Sequence, residues 1–336
     1  MSVTVTRETR GVTRLLVFLA LCVAAMVLTN YVVDSGLRRL KTSSFGVFNR
    51  IVDGQINATI VISGSSRALN HYDPRVIRTV TGRTAYNIGI NGSQTDMQVA
   101  VLKTYLNHNE KPSLVVHNLD SFAFVTSRGG IWFPGQYLPY LHEEPIYEAL
   151  SSVDRDAWKW KYLPLYGYAV EDMSFTWLTG MRAVFGWNPR EDRYFGFQPR
   201  DARWTDDFAH FVNSKRDGIQ FSIEPEGLRD FEDLIALCKQ RQIPVVLVYS
   251  PVYYEMQELE MNRDQIFRHF NEIAQRYDAP IWDYSGSPIS RRRDYFVNSQ
   301  HLNAAGAAAF SADFSADLTR SGLFEARTSP RRAVGQ

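Results

Sequence analysis

A chain of 336 residues, 45% hydrophobic and 22% charged, carries enough apolar material for one large core, or for one core and a sizeable insertion. Its 37 Lys and Arg nearly cancel 36 Asp and Glu, a formal net charge of +1. That balance provides no field for a polyanion and excludes nucleic acid as an expected partner. The two cysteines, Cys22 in an apolar N-terminal run and Cys238 in a helical pattern, make neither a disulfide framework nor a thiol site.

After a short tail (1–14), residues 15–33 contain no charged side chain and match the length of a helix that spans the hydrocarbon core. The run continues through Met26, Val27 and Leu28 to Tyr31, beyond the apolar core of a signal peptide, and predicts a retained single-pass anchor. Arg7, Arg10 and Arg14 precede it while Arg38, Arg39 and Lys41 follow, so charge alone leaves the orientation open. Residues 34–57 read as a juxtamembrane linker.

From 58 to 324, apolar runs alternate with helical patterns, which predicts an α/β fold: a three-layer α/β/α sandwich around a parallel sheet. The runs place strands at 58–63, 84–90, 113–119, 243–249 and 280–283, and helices at 95–106, 228–241, 263–277 and from 304 towards 318. Leu228, Phe231, Leu234, Ile235 and Cys238 recur at helical spacing, so that helix buries one face. Residues 131–211 break the alternation. They are dense in aromatics and predict an insertion of short helices and loops, its aromatics serving mainly packing, with a few exposed for binding. The polar, basic stretch 325–336 predicts a disordered tail.

The chemistry-bearing residues come in order. Val61-Ile62-Ser63-Gly64-Ser65-Ser66-Arg67 puts a serine at the turn that leaves an apolar strand. Gly-Ser-Ser alone is ordinary turn composition. Gly92 follows the second strand, where a backbone N–H can face an oxyanion, and Asn118 and Asp120 follow the third. Asn298-Ser299-Gln300-His301-Leu302-Asn303 then places a histidine just before the last helix. A serine hydroxyl is a poor nucleophile until a base takes its proton, and a tetrahedral intermediate needs donors aimed at its oxygen. His71 reads as a surface or supporting residue. His142-Glu143-Glu144 lacks a second ligand at helical spacing, and no phosphate or dinucleotide fingerprint occurs, so neither metal nor cofactor is expected.

This ordered set resembles the SGNH (GDSL-like) hydrolase superfamily, and within it the membrane-anchored members of cell-surface polysaccharide O-acylation and teichoic-acid D-alanylation. The resemblance spans most of 58–318 apart from the aromatic stretch. It implies Ser66 as nucleophile, Gly92 as oxyanion-hole donor and His301 as general base. Two positions depart from the pattern. The last block usually reads Asp-x-x-His, and Asn298 stands at the acid position; in a serine-protease triad the same change costs about 10⁴ in rate. Asp294 and Asp283 are the alternative carboxylates. In the third block an asparagine normally donates to the oxyanion, whereas the alignment offers Asp120, which when ionised only accepts; Asn118 is the substitute donor.

Three functions follow. The first is an extracytoplasmic, periplasmic O-acyltransferase that receives an acyl group, commonly acetyl, on Ser66 and passes it to a polysaccharide acceptor; the resemblance implies a polytopic membrane-bound O-acyltransferase as its partner. The second is an esterase using the same residues with water. The third is a non-catalytic polysaccharide-binding or scaffold subunit, which Asn298 and Asp120 favour and the joint presence of Ser66 and His301 opposes.

Overall fold

The structure, a computed structural model, describes residues 2–169, 174–190, 193–202, 204 and 207–324. The tail expected to be disordered, 325–336, lies outside them. In chain order the elements are α1 (Ser2–Leu37), α2 (Ser43–Val52), β1 (Ile60–Ser63), α3 (Ser66–His71), α4 (Pro74–Thr81), β2 (Ala85–Asn87), α5 (Thr95–His108) and β3 (Leu114–Asn118). Then come α6 (Glu144–Val153), α7 (Ala157–Tyr162), α8 (Tyr166–Ala169), α9 (Ser174–Val184) and α10 (Asp207–Ser214). The rest are α11 (Pro225–Gln240), β4 (Val245–Tyr249), α12 (Tyr254–Glu258), α13 (Arg263–Arg276), β5 (Ile281–Asp283) and α14 (Ala304–Arg320). The chain divides into two compact units, 1–49 with 133–190, and 50–132 with 191–336.

In the second unit the described strands form a five-stranded parallel sheet in the order β2-β1-β3-β4-β5. Side chains alternate across a strand, so Ile60 and Ile62, Leu114 and Val116, and Val246 and Val248 share one face, packed with Phe310 and Phe314 of α14. His117 and Tyr249 point to the opposite face, where Phe231 of α11 and Phe267 of α13 meet them. Both faces are covered, which is why β1, β3 and β4 read as continuous apolar runs. The expected three-layer α/β/α architecture is present.

Two local differences from the sequence reading have physical causes. The second strand is shorter than predicted. Asn87 Oδ1 accepts the Gly89 N–H (2.9 Å) and bends the chain, although Ile88 and Ile90 still donate to the Ile62 and Gly64 carbonyls (2.8 and 3.0 Å). Helix α4 was not anticipated, yet its signals are local: Asp73 caps the Arg75 N–H, Pro74 opens the helix and Gly82 closes it at φ 69°.

In the first unit, α1 contains a stretch, Thr9–Leu37, long and apolar enough to cross a membrane. Residues 133–190 of the aromatic stretch belong to this unit, whereas 191–211 belong to the sheet unit. Helix α9 crosses α1 at a pair of glycines; a Cβ on Gly36 would lie 1.8 Å from the Gly180 carbonyl oxygen. Asn30 Oδ1 accepts the Leu165 N–H (2.9 Å), and Asp34 accepts the Tyr168 hydroxyl. Asn49 donates to the Leu37 and Leu40 carbonyls and accepts from Tyr140, which closes the turn after α1.

Candidate active site

The site lies at the C-terminal ends of β1 and β3, the neighbouring strands at which the strand order reverses direction and at which open parallel sheets place their ligands. Gly64 makes the turn from β1 into α3. Its φ is +141°, and a Cβ there would sit 2.9 Å from the Ala68 Cβ and 3.1 Å from the Asn118 Cβ, so a side chain would meet both backbone strain and collision. Ser65 then caps α3, its Oγ accepting the Arg67 N–H at 3.2 Å. Ser66, half-buried, is the first helical residue.

Ser66 Oγ lies 2.8 Å from Nε2 of His301, and Nδ1 of His301 lies 3.0 Å from Oδ1 of Asn298. The same Oδ1 accepts the backbone N–H groups of Gln300 (3.0 Å) and His301 (2.9 Å), so oxygen rather than nitrogen occupies this position. An amide oxygen only accepts, which puts the imidazole proton on Nδ1 and turns the Nε2 lone pair towards the serine hydroxyl. Burial, followed by the nearby Arg200 and Arg67 cations, pushes the His301 pKa down to about 4. At neutral pH the ring is therefore free base.

Beneath this relay is a polar floor. Arg67, 3% exposed, donates to the Leu119 carbonyl (2.9 Å) and to the Ser250 carbonyl and hydroxyl, pairs with Asp120 (3.4 Å), and lies 4.4 Å from the Tyr249 ring centroid. His71 is fully buried. Its Nε2 accepts the Leu302 N–H (3.1 Å), leaving Nδ1–H to donate to Ser250 Oγ (2.8 Å). That arrangement requires a neutral ring, and burial with the Arg67 charge holds its pKa well below the ordinary value.

The residues expected from sequence divide accordingly. Ser66, His301 and Asn298 come together. Gly92 takes φ +67°, with Trp132 only 2.4 Å from the place a Cβ would fill. It lies two residues beyond Ile90, whose N–H reaches the Gly64 carbonyl. Asn118 is 1% exposed; it donates to the Leu119 carbonyl (3.1 Å) and accepts the Tyr72 hydroxyl (2.9 Å), which makes it a tie in the core rather than an open donor. Strand β3 ends at Asn118, and Asp120 serves as the counterion of Arg67. Asp294 pairs with Arg292 (2.6 Å) and Asp283 accepts the Ser285 N–H (2.9 Å); neither alternative carboxylate bonds to His301.

His71, expected as a surface or supporting residue, is fully buried and takes the supporting place, holding the loop that carries His301. Arg67 and Ser250 were missed as site residues. Their one local signal is position: Arg67 directly follows the nucleophile candidate, and Ser250 follows a buried strand at the functional end of the sheet. Beside the His301 loop opens a cleft of about 590 Å³, lined by Arg200, Trp204, Arg293, Phe296 and Asn303 among others.

No family model and no curated protein matches the chain. Among solved structures it is similar to a GDSL-like lipase from Bacteroides thetaiotaomicron (10% identity, TM-score 0.38, covering 84% of this chain and 100% of that one). It is also similar to an SGNH-hydrolase family esterase (14% identity, TM-score 0.33, covering 80% and 96%). Likenesses at these scores carry no weight for activity, which rests on the geometry of Ser66, His301 and Asn298.

Proposed function

We propose that this chain is a membrane-anchored serine enzyme of acyl-group chemistry, an O-acyltransferase that carries an acyl group, commonly acetyl, on Ser66 and delivers it to a hydroxyl of a cell-surface or exported polysaccharide outside the cytoplasm. The observation that carries this reading is the Ser66–His301–Asn298 relay, with an imidazole lone pair 2.8 Å from the serine hydroxyl.

In the first half-reaction Ser66 Oγ attacks the acyl carbonyl while Nε2 of His301 takes the hydroxyl proton; the tetrahedral intermediate collapses, and the imidazolium returns that proton to the departing alkoxide. In the second, Nε2 takes a proton from the acceptor hydroxyl, which attacks the acyl-serine, and Ser66 leaves with the proton. Asn298 keeps Nδ1 protonated throughout but contributes no charge, so the imidazolium is poorly stabilised and turnover is slow. The Gly92 N–H is the oxyanion donor of this reading. A polytopic membrane O-acyltransferase is the proposed acyl supplier, and the apolar helix α1 supports work at a membrane.

The esterase reading has an observation of its own. Ser66 and His301 are only half-buried, so water has access to an acyl-serine. A scaffold role has less support, because binding alone does not call for a neutral imidazole aimed at a hydroxyl. The test is intact-mass measurement of the full chain in detergent after incubation with an activated acetyl ester, beside Ser66→Ala. An acetyl adduct on Ser66, absent from the variant, is expected; partition of that adduct between water and sugar acceptors then divides esterase from transferase. A folded chain that forms no adduct and turns over no ester would overturn both enzymatic readings.

A further inference from the structure

Large apolar side chains exposed to solvent are unevenly shared between the units. The sheet unit exposes Val80, Trp132, Tyr194, Phe195 and Met261 across its described residues. The described residues of the much shorter stretch 158–187 expose Trp158, Tyr162, Phe175, Trp177, Phe185 and Trp187, with Phe185 at 86%. A cluster of this kind marks an interaction surface.

Helix α1, in the same unit, shows what meets it. The α1 surface is exposed from Leu15 to Leu28 apart from the half-buried Cys22, and again at Tyr31, then becomes fully covered at Val33 and Leu37. The covering element is α9, seated against α1 through Gly36 and Gly180, with no side chain between the backbones. The polar rung just before it, Asn30 and Asp34, holds Leu165, the residue before α8, and Tyr168 within α8. From Asn30 to Gly36 is about 9 Å along a helix axis, comparable with one headgroup layer. The described residues 158–169 and 174–187 are therefore fastened to α1 at the C-terminal end of its apolar run, the level at which a membrane-spanning α1 would leave the hydrocarbon. Trp and Tyr concentrate at this level, and short helices lying in the interface present them to lipid. Helix α7, Ala-Trp-Lys-Trp-Lys-Tyr, interleaves them with lysines suited to headgroup phosphates.

We propose that the exposed face of 158–169 and 174–187 is a lipid-binding surface that rests in the headgroup layer of the leaflet through which α1 exits. It gives the first unit a second membrane attachment that fixes its orientation on the bilayer. Lipid is the occupant because a bilayer crossed by α1 is at this level whatever else is present.

The test uses the full chain in phosphatidylcholine liposomes. In a Cys22→Ser, Cys238→Ala background, nitroxides at Phe185→Cys and Phe175→Cys are compared with one at the exposed Glu272→Cys of α13 for collision with oxygen and with a water-soluble nickel chelate. The first two sites are expected to favour oxygen and Glu272→Cys to favour nickel; nickel accessibility equal to that control would overturn the proposal. Tryptophan quenching by brominated acyl chains reads the same contact without cysteine changes. Quenching is expected to fall in the Trp177→Phe, Trp187→Phe variant, and equal quenching would count against lipid contact. Label sites open to water in liposomes yet shielded in native membranes would assign the face to a protein partner and overturn the lipid proposal.

Discussion

Nε2 of His71 accepts the N–H of Leu302 at 3.1 Å, so the last residue of the helix that begins at Ser66 holds the residue that follows His301. One buried hydrogen bond thereby ties the nucleophile-bearing helix to the base-bearing loop. His71→Phe removes the acceptor of the Leu302 N–H and leaves the Ser250 hydroxyl with Arg67 alone, which costs about 1–3 kcal/mol. The expected result is a lower urea midpoint together with a fall in kcat; a fall in neither would remove His71 from the positioning of His301.

Ser66→Ala is expected to abolish ester turnover and adduct formation while changing stability by less than about 0.5 kcal/mol, because the side chain is half-buried and its hydroxyl bonds, among the described residues, to His301. Chemical denaturation and turnover measured on one preparation check both halves. Retained turnover would refute the nucleophile.

Asn298→Asp keeps the oxygen that accepts from Gln300 and His301 and adds the missing charge. A carboxylate beside Nδ1 stabilises imidazolium, so the His301 pKa is expected to rise from about 4 and turnover at neutral pH to increase about tenfold or more. Asn298→Ala is expected to reduce it. An aspartate variant slower than the parent would mean that the amide does more than orient the ring.

The pH dependence follows from three histidines with lowered pKa values: His301 at about 4, His117 at about 3, and His71 well below the ordinary value of 6.5. The unfolded chain binds more protons than the folded one below about 6.5, so stability is complete above that value and falls as pH drops towards 4. Rate behaves differently, since His301 stays free base over the same range. The plateau of kcat/KM is expected to extend to about pH 5 with an acid limb near 4, read only where circular dichroism shows the chain folded. An acid limb at 6.5 would contradict the lowered pKa of His301.

Arg67 and Asp120 form a buried pair at 3.4 Å. Burial pushes the Asp120 pKa up while the Arg67 guanidinium pulls it down. Arg67→Met strands the carboxylate and is expected to cost about 3–5 kcal/mol, and Arg67→Met with Asp120→Asn less than the sum of the single changes. Additive denaturation energies would show that the two charges do not depend on one another.

Much of this molecule is legible in the chain itself. Val, Ile and Leu runs buried on both faces place β1, β3 and β4 within two residues of their positions, and the charge-free run after Arg14 locates the membrane-length helix. Ser66 at a glycine turn, and His301 three residues after Asn298, are also local patterns. The partners of Arg67 and His71 are not, because Arg67 meets Asp120 across 53 positions and His71 meets Leu302 across 231. No spacing rule reaches that far.

The sequence by itself determined the element types, the membrane-length helix and the residues able to do acyl chemistry, since periodicity, charge and turn composition act between near neighbours. Only the tertiary structure decided that Asn298 rather than Asp294 or Asp283 faces His301, that Asn118 belongs to the core, and that 133–190 joins α1 through Gly36 and Gly180. Those outcomes depend on which surfaces meet, and side chains remote in sequence find their partners only when backbone packing brings them within hydrogen-bonding distance.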